Sequence, residues 1–135
     1  MAAYGGDPNV TLPVIIANDT GSNVQTVFTP DLAQLNYNPN TYQCPLAPTT
    51  ITTASGVVVR QQIYIEVQLS RVDGTAASPW FAESAIITPI TPGVEQTRLS
   101  GGRIRNFFYF ATAPGNATPY VAMKKNGIVS QLPAL

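Results

Sequence analysis

Frequent turn residues, many β-branched side chains and one long alternating stretch predict a mainly β fold with one or two short helices. Ten Gly and twelve Pro among 135 residues cut the chain into short pieces, and Thr, Val and Ile fill those pieces. Between Val57 and Leu69, the residues Val57, Val59, Ile63, Ile65, Val67 and Leu69 share one side of an extended chain. Arg60, Tyr64, Glu66 and Gln68 take the other. The length suits a single domain with a real core. Residues 1–9 read as a flexible N-terminal arm and residues 10–135 as that domain.

Taken in order, Val10-Thr11-Leu12 suits a short strand, with Pro13 at a strand start or edge. Val14–Ala17 reads as a buried strand that ends on Asp19-Thr20-Gly21-Ser22, where Gly21 permits a sharp turn. Val24–Phe28 is a second apolar strand. Thr29–Leu35 reads as a short helix, capped by Thr29, with Pro30 at its first position and Asp31 at the positive end of its dipole. Asp31 is therefore expected to start a helix, not to act as a second acid. Asn36–Pro48 is a loop. Thr49–Leu69 forms a long hairpin turning at Ser55-Gly56, and Val72–Thr75 is a turn built on Asp73-Gly74. Trp80–Ile87 is a strand, with Trp80 expected in the core or an interface. Ile104, Phe107 and Phe108 fall on one face of a helix. Pro119–Met123 and Ile128–Leu132 read as two strands joined at Asn126-Gly127, an extended C-terminal hairpin over about residues 111–135.

Composition narrows the chemistry. Seven Lys and Arg balance seven Asp and Glu, so no basic footprint for nucleic acid is expected. The chain has no His, which excludes Ser-His-Asp and Cys-His nucleophile systems and His-bearing zinc sites. Cys44 is the single cysteine, so no intrachain disulfide or thiolate cluster forms, and it reads as an ordinary, partly buried thiol. No metal or cofactor is expected. No apolar run approaches membrane-spanning length, and residues 1–6 lack the basic and apolar parts of a secretion signal. No membrane partner and a cytoplasmic location follow as expectations. The glycan acceptor patterns at Asn9, Asn18 and Asn116 then read as coincidence. What remains for hydrolysis is carboxylate chemistry.

The stretch Val14-Ile15-Ile16-Ala17-Asn18-Asp19-Thr20-Gly21-Ser22 carries that chemistry. A carboxylate on a tight turn between two apolar strands is an expensive placement unless it is used. An Asx turn in any β protein is the plain alternative, since all four residues are turn formers. The stretch resembles the active-site loop of aspartic proteases. One such loop in 135 residues is similar to the retroviral and retrotransposon type, the retropepsins, in which two identical chains each supply one Asp.

The resemblance covers roughly residues 10–110 and implies a closed, retropepsin-like β-barrel. It implies a homodimeric endopeptidase of the kind that processes polyproteins, binding its peptide substrate as an extended strand. Asp19 and its copy would share a proton and activate a water. Gly21 would let the two loops approach, Thr20 would bond across the interface, and Ser22 would support the outer carboxylate oxygen. Thr53-Ala54-Ser55-Gly56-Val57 is similar to the family's flap, which gives Ala54, Ser55 and Gly56 a substrate-covering role. A plain surface hairpin is the alternative.

Leu99-Ser100-Gly101 is similar to the family's second motif, with Gly101 and either Arg103 or Arg105 supporting the Asp loop. The sequence departs from the family at Asn18 and Ser100, where apolar residues are usual, and in its longer C-terminal segment. Two further readings stay open. One is a catalytically inactive, retropepsin-like dimerisation or peptide-binding module. The other is a β-sandwich structural or coat protein.

Overall fold

Every residue of β2 (Gln25–Phe28) is buried, and this strand anchors the part of the fold that holds the Asp19 loop. The computed structural model describes residues 1–19, 21–115 and 119–132. Thr20 and the acceptor pattern at 116–118 lie outside the described residues. The described chain is mainly strands with a few short helices. The chain groups into two compact units. One comprises Met1–Glu66 with Ala82–Gly102, the other Val67–Phe81 with Arg103–Leu135.

In the first unit, β1 (Ile16–Ala17) runs parallel to β7 (Arg98–Leu99), with Ile16 opposite Arg98 and Ala17 opposite Leu99. β2 runs parallel to β6 (Phe81–Thr88), with Gln25 opposite Ala85, and β6 lies between β2 and β5 (Gln62–Val67). The Asp19 loop is thus the passage from one small sheet to another. A strand paired in parallel within a sheet is usually covered on both faces, which accounts for the burial of β2 even at Gln25 and Thr26. Val27, Leu32, Ile63 and Ala85 form the core of this unit, flanked by Tyr37, Tyr42, Cys44, Ile65 and Ile87.

α1 (Thr29–Gln34) forms where Pro30 and Asp31 predict it. Its N-cap is Phe28, not Thr29, because the Asp31 carboxylate reaches back to accept the Phe28 N–H at 2.9 Å. The N-terminal arm makes ring and hydrogen-bond contacts. The Tyr4 ring stacks on Tyr64 at 5.8 Å and meets Tyr42 edge-on, and the Tyr4 carbonyl accepts the Gln43 N–H. Residues 10–12 form no strand.

The expected buried strand at 14–17 shortens to β1. Ile15 is 89% exposed, because only Ile16 and Ala17 find a pairing partner in β7. The long hairpin also divides. β3 (Thr49–Thr53) pairs antiparallel with β4 (Gly56–Arg60), the chain breaks at Gln61, and β5 joins the other sheet. Ile63 is buried as its alternation predicts, whereas Val57 and Val59 face water, since a two-stranded ribbon has no layer behind it. Among the described residues the strands make one three-stranded sheet and three two-stranded sheets, and no closed barrel is seen.

In the second unit, α2 (Gly102–Phe107), of which residues 103–107 belong here, leads into β8 (Tyr109–Thr112), which pairs antiparallel with β9 (Pro119–Ala122). Ile104 and Phe108 are buried, and the Phe81 ring lies 5.5 Å from that of Phe108. Phe107 turns half out, 48% exposed, under the guanidinium of Arg103. Trp80, expected in a core or interface, is more than half exposed in the described chain.

The C-terminal hairpin expected at Asn126-Gly127 is replaced by α3 (Lys125–Val129). β9 already has β8 as its partner, so the turn signal is overridden. Gly127 serves close packing instead: a Cβ there would sit 3.1 Å from the Ala122 Cβ.

Candidate active site

Asp19 sits two residues beyond β1 in a closed turn. Its N–H donates to the Ala17 carbonyl at 3.0 Å, and its carbonyl accepts the Ser22 N–H at 3.2 Å. The carboxylate folds over the turn, Oδ1 accepting the Gly21 N–H at 2.8 Å. A Cβ on Gly21 would stand 3.3 Å from that oxygen, so glycine gives the carboxylate room to fold back. The Asp19 side chain is half-buried. Ser22 is buried, and its hydroxyl donates to the Val24 carbonyl at 2.8 Å while accepting the Val24 N–H at 3.3 Å. Ser22 therefore fastens the exit of the loop.

The second motif holds both ends of this loop. Three successive amides do so. The Ser100 N–H donates to the Ala17 carbonyl at 2.9 Å, and the Gly102 N–H donates to the Asn23 carbonyl at 3.3 Å. Between them, the Gly101 N–H donates to the Gln25 Oε1 at 3.2 Å. Gly101 is required for a close approach: a Cβ would lie 2.8 Å from the Glu83 Cδ and 3.0 Å from the Gln25 backbone nitrogen. Ser100, which stands where the family resemblance leads one to expect an apolar residue, is only 2% exposed.

The described ion pair of this region comes from a residue to which the sequence assigns no role. Arg98, in β7, donates from Nε to Asp31 Oδ2 at 2.9 Å and from Nη2 to Asp31 Oδ1 at 2.6 Å. Its guanidinium also lies over the Phe28 ring, 5.0 Å from the centroid. The bonds from Arg98 hold the Asp31 carboxyl below the usual carboxylate range, against the opposing effect of burial, and the Phe28 N–H adds to them. Arg103 and Arg105 belong to the second unit, where Arg103 lies 5.4 Å from the Phe107 centroid.

The hairpin tip has its own geometry. Thr53 is opposite Gly56, so Ala54 and Ser55 make a two-residue turn, and Gly56 has φ +118°, a conformation natural to glycine. The hydrogen bonds described there stay within the hairpin: the Thr53 hydroxyl donates to the Gly56 carbonyl at 2.9 Å and accepts the Ser55 N–H at 3.3 Å. Ala54, Ser55 and Gly56 are exposed.

The structure thus brings Asp19, Gly21 and Ser22 together with Gly101. It adds Gln25, Glu83 and Arg98, which sequence reasoning misses. Gln25 and Glu83 carry a signal, since a polar residue inside an apolar strand is expensive unless it bonds. Arg98 carries none, because its partner is 67 positions away.

Cys44 is half-buried and accepts the Tyr64 N–H at its Sγ, 3.2 Å away. Among the described residues no cluster of three or more His, Cys, Asp or Glu side chains could hold a metal ion, and no helix is long and apolar enough to cross a membrane. No family model, curated protein or solved structure matches this chain.

Proposed function

We propose that this chain is one half of a homodimeric aspartic endopeptidase, with Asp19 as its acid and with strands that belong to a retropepsin-like barrel. The observation that carries the reading is the three-amide grip of Ser100, Gly101 and Gly102 on the two ends of the Asp19 loop. A reacting carboxylate needs a rigid mount. Here the turn, the neighbouring strand and the Gly21 N–H fix Asp19 while leaving its side chain partly open to water.

In the dimer, two Asp19 carboxylates face one another across a two-fold axis. At such a distance like charges repel, so the pair holds one proton between them. The ionised member takes a proton from a water as its oxygen adds to the scissile carbonyl carbon. The protonated member donates to the carbonyl oxygen, and the resulting diol collapses as the amide nitrogen takes up a proton. The β3–β4 hairpin, with Ala54-Ser55-Gly56 at its tip, covers a substrate held as an extended strand and keeps bulk water out.

The test is Asp19→Asn in a peptide-hydrolysis assay, with velocity sedimentation of both proteins and a melting curve with a pepstatin-type inhibitor at acid pH. The expected result is a dimer whose turnover vanishes in the variant and whose melting temperature the inhibitor raises. Equal hydrolysis by the variant, or a monomer at all concentrations, overturns the proposal. A dimer with neither hydrolysis nor an inhibitor shift leaves the inactive binding module in its place.

A further inference from the structure

The balanced charge of the whole chain conceals an uneven division. In the first unit, Arg60 and Arg98 stand against Asp7, Asp19, Asp31, Glu66, Glu83 and Glu95, a formal charge of −4. In the second, Arg71, Arg103, Arg105, Lys124 and Lys125 stand against Asp73, a formal charge of +4. The expectation of no nucleic-acid partner rests on zero net charge, and this division removes that ground.

In the second unit the segments that carry four of those cations join the β8–β9 hairpin at the same end. Tyr109 is opposite Ala122 at the open end of the β8–β9 hairpin. The chain enters β8 from α2 and leaves β9 toward α3 at that same end. The entering segment, from α2 into the start of β8, carries Arg103, Arg105, Phe107 and Tyr109, and the leaving segment carries Lys124 and Lys125. Arg103, Lys124 and Lys125 are exposed, as are about half of Phe107 and half of Tyr109. Asp73, the acid of this unit, sits in the 72–75 turn, where its Oδ1 accepts both the N–H and the hydroxyl of Thr75.

We propose that this hairpin end is a binding surface for single-stranded nucleic acid, with the cations on the phosphates and the exposed Tyr109 ring stacking on a base. Exposed rings set among cations are the components such surfaces use. An acidic peptide would engage the cations and leave the Tyr109 ring without a role. A membrane surface calls for an amphipathic helix with a continuous apolar face, and α3 spans five residues with its Ile128 turned inward. The proposal is independent of the peptidase reading, and either can fail alone.

The experiment is fluorescence anisotropy of a labelled 20-nucleotide oligouridylate with the full chain. Contacts to three or four phosphates predict an affinity loss of about 20- to 50-fold between 50 and 200 mM salt. Lys124→Gln with Lys125→Gln removes two of those contacts, so binding should be weaker at the lower salt and its loss between 50 and 200 mM should shrink to about 3- to 7-fold. The control Gln34→Glu with Gln43→Glu, exposed positions of the first unit, makes the same change in net charge and should leave affinity within twofold. Tyr109→Ala should weaken binding about fivefold or more. Melting curves identify any variant that is not folded, and Lys124→Arg with Lys125→Arg should restore binding. No anisotropy change at 50 mM salt, equal losses in the lysine variant and the control, or capture by phosphatidylserine vesicles without oligonucleotide binding overturns the proposal.

Discussion

Arg98 and Asp31 form a two-pronged ion pair that ties β7 to the first turn of α1, and Asp31 caps that turn with the same carboxylate. The pair is lopsided. Asp31 is 3% exposed, whereas the Arg98 side chain keeps about a quarter of its surface in water. Removing the carboxylate therefore leaves a cation that can reach solvent. Removing the guanidinium leaves a buried acid with one remaining described donor. Asp31→Asn, which keeps an acceptor for the Phe28 N–H, should lower stability by about 1–2 kcal/mol in urea unfolding. Asp31→Ala, which loses the cap as well, should cost about 2–4 kcal/mol. Equal, near-zero losses would mean that the pair behaves as a surface contact.

The same pair sets the acid limb of stability. The Asp31 carboxyl is held below its ordinary value of 3.8, so the folded state binds a proton less readily than the unfolded chain. Its contribution is complete above that ordinary value and is lost as pH falls through the depressed one. Tyr42 governs the opposite limb. Burial, followed by the nearby Cys44 and Glu66, pushes its hydroxyl up from 10.0 to about 12. The neutral form is the one the fold accepts, and that hydroxyl donates to the Tyr64 carbonyl. Its contribution is complete below pH 10 and lost as pH rises toward 12. Melting temperatures of Arg98→Met and Tyr42→Phe across pH 2 to 12 should each flatten one limb and leave the other unchanged. The result to look for is that separation, since both variants also lower stability near neutrality.

How far these features are legible in the sequence depends on how local they are. Pro30 and Asp31 announce α1, Ser55-Gly56 announces a hairpin and Asp73-Gly74 a turn, because each acts on its own backbone. Ile15 misleads, since an apolar run predicts a strand but not whether a partner covers its whole length. Val57 and Val59 mislead for the same reason: alternation shows that two faces differ, and only the sheet arrangement decides which face meets a second layer. Asn126-Gly127 is overridden once β9 has paired with β8. At the site, the turn around Asp19 is local and readable. The three-amide grip and the Arg98–Asp31 pair join residues about 70 to 80 positions apart, and no spacing rule encodes them.

Gly101 offers a test of how tightly the second motif must approach the loop. A methyl group there meets the Glu83 side chain and the backbone nitrogen of Gln25 at 3.0 Å or less. The carboxylate end of Glu83 can yield, but the β2 backbone cannot, being held in register against β6. Gly101→Ala should lower stability by about 1–3 kcal/mol, the usual range for overpacking. Gly56→Ala separates conformation from crowding. A Cβ on Gly56 would meet nothing within 4 Å, but φ there is +118°, so a loss of about 1–2 kcal/mol would come from backbone strain. Urea unfolding of the two variants, with backbone amide shifts of residues 23–25 as a local probe, distinguishes them: Gly101→Ala should move those amides and Gly56→Ala should not.

Asp19 itself can be divided into a structural and a chemical part. Its Oδ1 accepts the Gly21 N–H and so helps close the turn, a task that needs an oxygen but not a charge. Asparagine supplies that oxygen, while alanine does not. Asp19→Asn should therefore unfold within about 0.5 kcal/mol of the native chain, and Asp19→Ala should lose about 0.5–1.5 kcal/mol, the net worth of one partly exposed hydrogen bond. The comparison gives the peptidase test its force. If both variants are inactive and only the alanine protein is destabilised, loss of turnover in Asp19→Asn cannot be assigned to a broken loop, and the carboxylate's ability to exchange a proton is what was removed. If the asparagine protein is as unstable as the alanine one, the charge on Asp19 is part of the fold, and the loop is held by an interaction other than the Gly21 amide.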